Sequence, residues 1–232
     1  MATALPNVKQ PVLAALKRFT TCDVGDALVR LNVRHGGYLS GLRMFSPADR
    51  VGTSKIFGPA YTVRMVPATD TTAPTPSSHF ADAIPSGSVV FISQPDGFIS
   101  ACWGGLMSTR AKHAGAAGVV IDGRFRDLNE HRELDFGLFA RDISVLGSHT
   151  FTRSAELNVA VSYRIKELEN AEVTVRPGDI IMGDLDGVVA IPLERAEECA
   201  RLCEARWKID EETRRCLENG HPIGPTINRL RQ

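Results

Sequence analysis

Two arginines and two aspartates fall within the six residues Asp122-Gly123-Arg124-Phe125-Arg126-Asp127, directly after the apolar run Val119-Val120-Ile121. Arginine grips a carboxylate through two parallel hydrogen bonds, a geometry that lysine does not reproduce. An aspartate beside it offers the hard oxygen that Mg²⁺ or Mn²⁺ takes as a ligand. A 2-oxo acid needs both at once: a cation shared by its keto and carboxylate oxygens, and a positive group next to them. Upstream, Gly104-Gly105-Leu106-Met107 opens a segment of helical composition. Free amides at a helix start attract anions, and glycine lets a ligand come close to the backbone. Loop and helix start together make a candidate carboxylate pocket. Taken alone, the same cluster is also what a solvated loop looks like.

The flanking pattern supplies a scaffold for these residues. Gly115 and Gly118 end the glycine-led helix, residues 119–121 read as a buried strand, and residues 122–127 read as the loop at its end. Ligands in α/β folds sit at such strand ends. Further apolar runs predict strands at 56–66, 88–93, 159–163, 173–175, 180–182 and 188–191. Helical spacing predicts one helix over 11–19 and a second from Thr21 or Asp23 to Leu31. Residues 69–78, with Pro74 and Pro76, read as a surface loop or lid, because proline offers the sheet no amide hydrogen. From Leu193 to about Asn219 one long helix is predicted, closed by Gly220, with opposite charges four apart at Glu197/Arg201, Glu204/Lys208 and Glu211/Arg215. At about 1.5 Å per residue it is roughly 40 Å long, enough to reach a neighbouring subunit.

Composition narrows the function classes. The 232 residues hold 27 basic and 27 acidic side chains, so the chain has no electrostatic reason to coat nucleic acid or an anionic membrane. A small-molecule partner is expected instead. No apolar run reaches the roughly 20 residues of a membrane span, and the first residues lack a secretory pattern. The five cysteines, Cys22, Cys102, Cys199, Cys203 and Cys216, are odd in number and sparsely spaced, which suits reduced thiols and a cytoplasmic location. The six histidines show no repeated ligand spacing, which argues against zinc. Asp184-Leu185-Asp186-Gly187 reads as a turn, since it lacks the length and ligands of a calcium loop. Cys199 and Cys203 read as packing residues of the long helix.

Several separated blocks carry a family resemblance. Trp103-Gly104-Gly105-Leu106-Met107 is followed by Val119-Val120-Ile121-Asp122-Gly123-Arg124-Phe125-Arg126-Asp127, with twenty residues between Gly105 and Arg126 and with Glu130 three beyond Asp127. Blocks at 21–28, 58–63, 175–179 and 183–192 fit as well. Together they resemble the 4-hydroxy-4-methyl-2-oxoglutarate aldolase family, which includes proteins related to the bacterial regulator of ribonuclease E activity. The resemblance covers roughly residues 20–220.

That resemblance implies one α/β domain over residues 1–232, like the swivelling phosphohistidine domain, assembled as a homotrimer or homohexamer through contacts that include the 193–220 helix. It implies a lyase that uses Mg²⁺ or Mn²⁺ to cleave 4-hydroxy-2-oxo acids to pyruvate, or to decarboxylate oxaloacetate, through an enolate. Asp127 would bind the metal directly, with Asp122 and Glu130 acting through water. Arg126 would hold the oxo-acid end and balance the enolate charge. The amides of Gly104, Gly105, Leu106 and Met107 would bind the carboxylate, and Glu211, beside Asp210 and Glu212, would reach a neighbouring subunit's site. The chain departs from the aldolase pattern at Gly105, where an acidic residue often stands. Two other readings stay open at this point: a protein-binding regulator of the ribonuclease E inhibitor type, and an enzyme repurposed for another enolisable β-keto acid.

Overall fold

A run of consecutive apolar residues in a strand has to be covered on both faces, and the centre of this fold is built on two such runs, residues 89–92 and 119–121. The computed structural model describes residues 9–47 and 54–231. Within them the chain runs α1 (Gln10–Leu16), α2 (Thr21–Arg30), β1 (Arg43–Ser46), β2 (Ile56–Pro67), β3 (Val89–Ser93), β4 (Ala101–Trp103), α3 (Gly105–His113), β5 (Gly118–Phe125), α4 (Leu128–Glu133), β6 (Leu138–Ile143), β7 (Thr152–Leu157), β8 (Val161–Arg164), β9 (Glu172–Val175), β10 (Ile180–Asp184), β11 (Gly187–Ile191), α5 (Ala196–Glu218) and α6 (Ile223–Leu230). Side chains alternate along β3, so Val89 and Phe91 enter one apolar cluster while Val90 and Ile92 enter another on the opposite face. The first cluster is closed by the β8–β9 hairpin through Val161, Tyr163, Val173 and Val175. The second holds Trp103 and Phe125 and lies under the site described below. A third joins α1, α2 and α5 to β10 and β11.

Nine strands form one mixed sheet in the order β1-β6-β5-β3-β2-β10-β11, with β4 beside β5 and β7 beside β2. The run β2-β3-β5-β6 is parallel, while β1, β7, β10 and β11 are antiparallel to their neighbours. One short segment reaches both ends of this order. Tyr38 bridges to Val189 and Leu39 N–H donates to Val188 O at 2.9 Å, while Arg43 and Met44 pair with Ala140 and Phe139 of β6. The sheet is therefore nearly closed into a barrel.

Local chemistry explains the element starts. Thr20 caps α2, accepting Asp23 N–H at 3.2 Å, and Asp23 returns the favour to Thr20 N–H at 2.9 Å. Thr21 is held by Asp184, which accepts from its amide at 2.8 Å and its hydroxyl at 2.6 Å. The acidic turn at 184–187 is thus the β10–β11 hairpin turn and a second anchor for α2. The long helix is present as α5, with 23 residues and a length of about 35 Å. Of its expected charge pairs Glu204–Lys208 forms at 3.6 Å, whereas Glu211 pairs with Arg214.

Three differences from the sequence expectation matter. The strand expected over 119–121 continues to Phe125, because β4 on one side and β6 on the other both pair with Arg124 and Phe125. Strands β1, β4, β6 and β7 were not expected. Neither was α6, which follows the Gly220 break and is tied back when Arg231 bonds Asp210 at 2.9 Å.

Candidate active site

β4 and β5 lie side by side and parallel, with Trp103 opposite Phe125, and Arg126 N–H donates to Trp103 O at 3.0 Å. Each strand turns at once into a helix, so the starts of α3 and α4 stand next to each other. Asp127 caps α4 with φ 64° and ψ 44°. That left-handed backbone is one that Asp and Asn adopt more readily than most residues. It swings the carboxylate across to α3, where Oδ2 accepts Gly105 N–H at 3.0 Å. Oδ1 has no partner among the described residues. Arg126 Nε stands 3.5 Å from Asp127 Oδ2, and its guanidinium makes no other ion pair there. Both side chains line a cavity of about 640 Å³ whose walls include Trp103, Met107, Phe80 and Met65.

The two glycines are demanded by this closeness. A Cβ on Gly104 would lie 2.7 Å from Asp127 Oδ2. A Cβ on Gly105 would lie 1.7 Å from Glu130 Oε2 and 2.9 Å from Glu130 Cβ. The Glu130 carboxylate therefore occupies the space directly above Gly105. Of the amides expected to hold a carboxylate, that of Gly105 is committed to Asp127 and that of Met107 donates to Gly104 O at 3.0 Å. The Leu106 amide has no acceptor among the described residues, and Leu106 lines the cavity.

Asp122 stands apart from Asp127. It lies inside β5 rather than in the loop, and its carboxylate is engaged by Arg141 of β6, in a different depression that Lys166 also lines. Both partners are nearly buried, with 12% and 11% of their side chains exposed. Burial pushes the Asp122 carboxyl above its ordinary range, against the pull of Arg141. Breaking a buried pair leaves a charge without compensation, so Asp122→Ala is expected to cost about 3 kcal/mol in denaturant unfolding. Mn²⁺ uptake per folded molecule should be unchanged; a loss of uptake would return Asp122 to the metal's surroundings.

Glu211 lies on α5, which packs on α1, α2 and the β10–β11 face, and it does not line this cavity within one chain. Arg153, on the cavity wall, pins the proline-rich loop: it donates to the carbonyls of Asp70, Ala73 and Pro74 at 2.6, 2.8 and 2.7 Å. Ser108 and His131, buried beneath Arg126, are site residues that spacing did not single out. The available signal was a lone histidine one turn after the Arg-Asp pair.

The fold is thus a mixed α/β sheet that sets a carboxylate and a guanidinium side by side at the ends of its parallel strands, the place where α/β folds hold ligands. The RraA-like family model, described as Aldolase/RraA, matches residues 21–190, and the chain belongs to that family. A Halalkalibacterium halodurans protein, provisionally named 4-hydroxy-4-methyl-2-oxoglutarate aldolase, is 31% identical over 200 residues, which cover 86% of this chain and 85% of that protein. Protein DlpA of Legionella pneumophila is 26% identical over 220 residues, 94% of this chain but 33% of its own length. A further curated relative is spanned over 52% of its length. Among solved structures, Streptomyces coelicolor RraAS2, titled an unusual member of the RNase ES inhibitor RraA protein family, superimposes with a TM-score of 0.76 at 24% identity, over 91% of this chain and 98% of that one. Among the described residues no helix is long and apolar enough to cross a membrane.

Proposed function

We propose that this protein is a divalent-metal-dependent lyase that breaks a carbon–carbon bond next to the keto group of a small 2-oxo acid. The reaction is aldol cleavage of a 4-hydroxy-2-oxo acid, decarboxylation of oxaloacetate, or both, with pyruvate as product. One observation carries the reading: the Arg126 guanidinium, whose one ion pair among the described residues is with Asp127, shares a cavity with that carboxylate, which has one oxygen held by the Gly105 amide and the other unpartnered.

The donor set suits Mg²⁺ or Mn²⁺. Among the described residues no cluster of three or more His, Cys, Asp or Glu side chains could hold a metal. A single hard oxygen from Asp127 matches a cation that keeps most of its water. When bound, such a cation supplies Lewis-acid stabilisation of the charge released by the breaking bond.

The chain's own groups supply the rest. Arg126 binds the substrate carboxylate and faces the negative charge growing on the keto oxygen, an interaction that strengthens toward the transition state. The Leu106 amide adds a second donor for the carboxylate. Glu130 is our candidate for the acid that the resemblance puts at position 105, because its carboxylate fills the space above that glycine. Trp103 and Met107 keep the reacting end in apolar surroundings. Leu106, on the cavity wall, is 77% exposed, and we read it as a face that another copy of the chain covers. In a homotrimer or homohexamer of this kind, Glu211 of a neighbour would complete the site.

The test is direct. Purified protein with Mg²⁺ or Mn²⁺ should release pyruvate from oxaloacetate or 4-hydroxy-4-methyl-2-oxoglutarate, and EDTA should stop it; silence on both substrates would sink the reading. Arg126→Lys keeps the charge but loses the two-pronged grip. Its kcat/KM should fall about a hundredfold, equivalent to about 2.7 kcal/mol. A lysine variant that matched the parent would mean that Arg126 does not bind the carboxylate.

A further inference from the structure

The His131 ring is fully buried between the two helices that carry the site. Its Nε2 lies 2.7 Å from the carbonyl oxygen of Arg126, and its Nδ1 lies 2.8 Å from Ser108 Oγ. Trp103 Nε1 lies 2.8 Å from the same Oγ. These contacts fix the protons. A carbonyl oxygen only accepts, so Nε2 carries a hydrogen. In the neutral ring Nδ1 is then the acceptor, and the Ser108 hydroxyl donates to it. The indole N–H can only donate, and it takes a lone pair of Ser108. Burial holds the imidazole below its ordinary pKa, although the Arg126 carbonyl and the Asp127 and Glu130 carboxylates pull the other way. The Phe125 ring, 5.3 Å away at an angle of 61°, sets the plane of the imidazole.

We infer that His131, oriented by Ser108 and Trp103, is a positioning residue for the Arg126–Asp127 turn. The Arg126 carbonyl belongs to the peptide that joins Arg126 to Asp127. Holding its oxygen holds that peptide plane, and with it the Asp127 φ of 64°. This uncommon backbone is what aims the aspartate at Gly105, and such geometry persists only where its surroundings enforce it. The same chain of hydrogen bonds ties Ser108 of α3 to His131 of α4, so it also keeps the two helix starts in step. His131 acts through the backbone of its neighbours and does not touch the substrate. Outer partners of this kind commonly change metal affinity or activity by about 10- to 100-fold.

The metal arm of the test rests on the lyase reading; the spectroscopic arm does not. In protein labelled with ¹⁵N-histidine at neutral pH, His131 should be protonated on Nε2 and bare on Nδ1. Ser108→Ala should mix the two tautomers, move the Asp127 amide resonance and weaken Mn²⁺ binding about tenfold, read from free Mn²⁺ by electron paramagnetic resonance. His131→Gln, whose amide N–H can reach the Arg126 carbonyl, should bind Mn²⁺ at least about fivefold more tightly than His131→Leu. If Ser108→Ala does not fold, Ser108→Cys carries the same readouts with a weaker donor. A ring protonated on Nδ1, an unmoved Asp127 amide in the Ser108 variant, or equal affinities for Gln and Leu would overturn the inference. A parent protein that takes up no Mn²⁺ would remove the lyase reading, and the tautomer and the Asp127 amide would then decide the role of His131.

Discussion

Asp127→Asn protein is expected to fold normally and to release pyruvate roughly a thousandfold more slowly, the equivalent of about 4 kcal/mol. Asparagine tolerates the left-handed backbone at this position, and its side-chain oxygen can still accept Gly105 N–H. What it loses is the charge and the second carboxylate oxygen, the one left without a partner. Asp127→Ala should show the same loss of turnover together with a drop in stability of about 1–2 kcal/mol, since it removes the acceptor and forces a strained backbone. Thermal unfolding, Mn²⁺ uptake and pyruvate release on the two variants separate the chemical role from the structural one. Turnover by Asp127→Asn within tenfold of the parent would show that no cation depends on this carboxylate.

The second large effect concerns Gly105 and Glu130 as a pair. Gly105 does not have the positive φ that only glycine adopts easily, so alanine there should ordinarily stabilise a helix start by about 0.4–1 kcal/mol. In this protein the new Cβ would meet Glu130, including Glu130 Cβ at 2.9 Å, which α4 holds in place. Gly105→Ala is therefore expected to destabilise by about 1–3 kcal/mol while Glu130 is present. In a Glu130→Ala background the same change should become neutral or stabilising. A double-mutant cycle by denaturant unfolding reads this reversal as a coupling energy. Strict additivity would mean that the glutamate does not rest on the glycine.

How much of this was legible beforehand follows from distance along the chain. The Arg126–Asp127 pair and the Gly104–Met107 helix start could be found because each is a local composition at the end of an apolar run. Of the parallel core, β2, β3 and the first half of β5 were visible for the same reason, whereas β6 was not. Asp122 was misplaced because its partner Arg141 lies 19 residues on, and because pairing with the far ends of β4 and β6 carries β5 past Ile121. Nothing local reveals that pairing. Ser108 and His131 are 23 residues apart and meet only once two parallel strands have brought their helices together. The place of Glu130 above Gly105 is equally a property of the packed helices. Arg153 illustrates the reverse case. The proline-rich loop was legible as a loop, but its tether sits in β7, 79 to 83 residues away.

The segment around residues 38–46 has a consequence for assembly. Strands with bare edges invite other chains to add on, which is a route to aggregation. Here residues 38 and 39 bond to β11 while residues 43 and 44 pair with β6, so each of those strands already has a partner on its outer side. A neighbouring molecule finds no open ladder along these two borders. In the proposed assembly, copies would join through side chains such as Leu106 rather than along these borders, an arrangement that can come apart and re-form without unzipping the sheet.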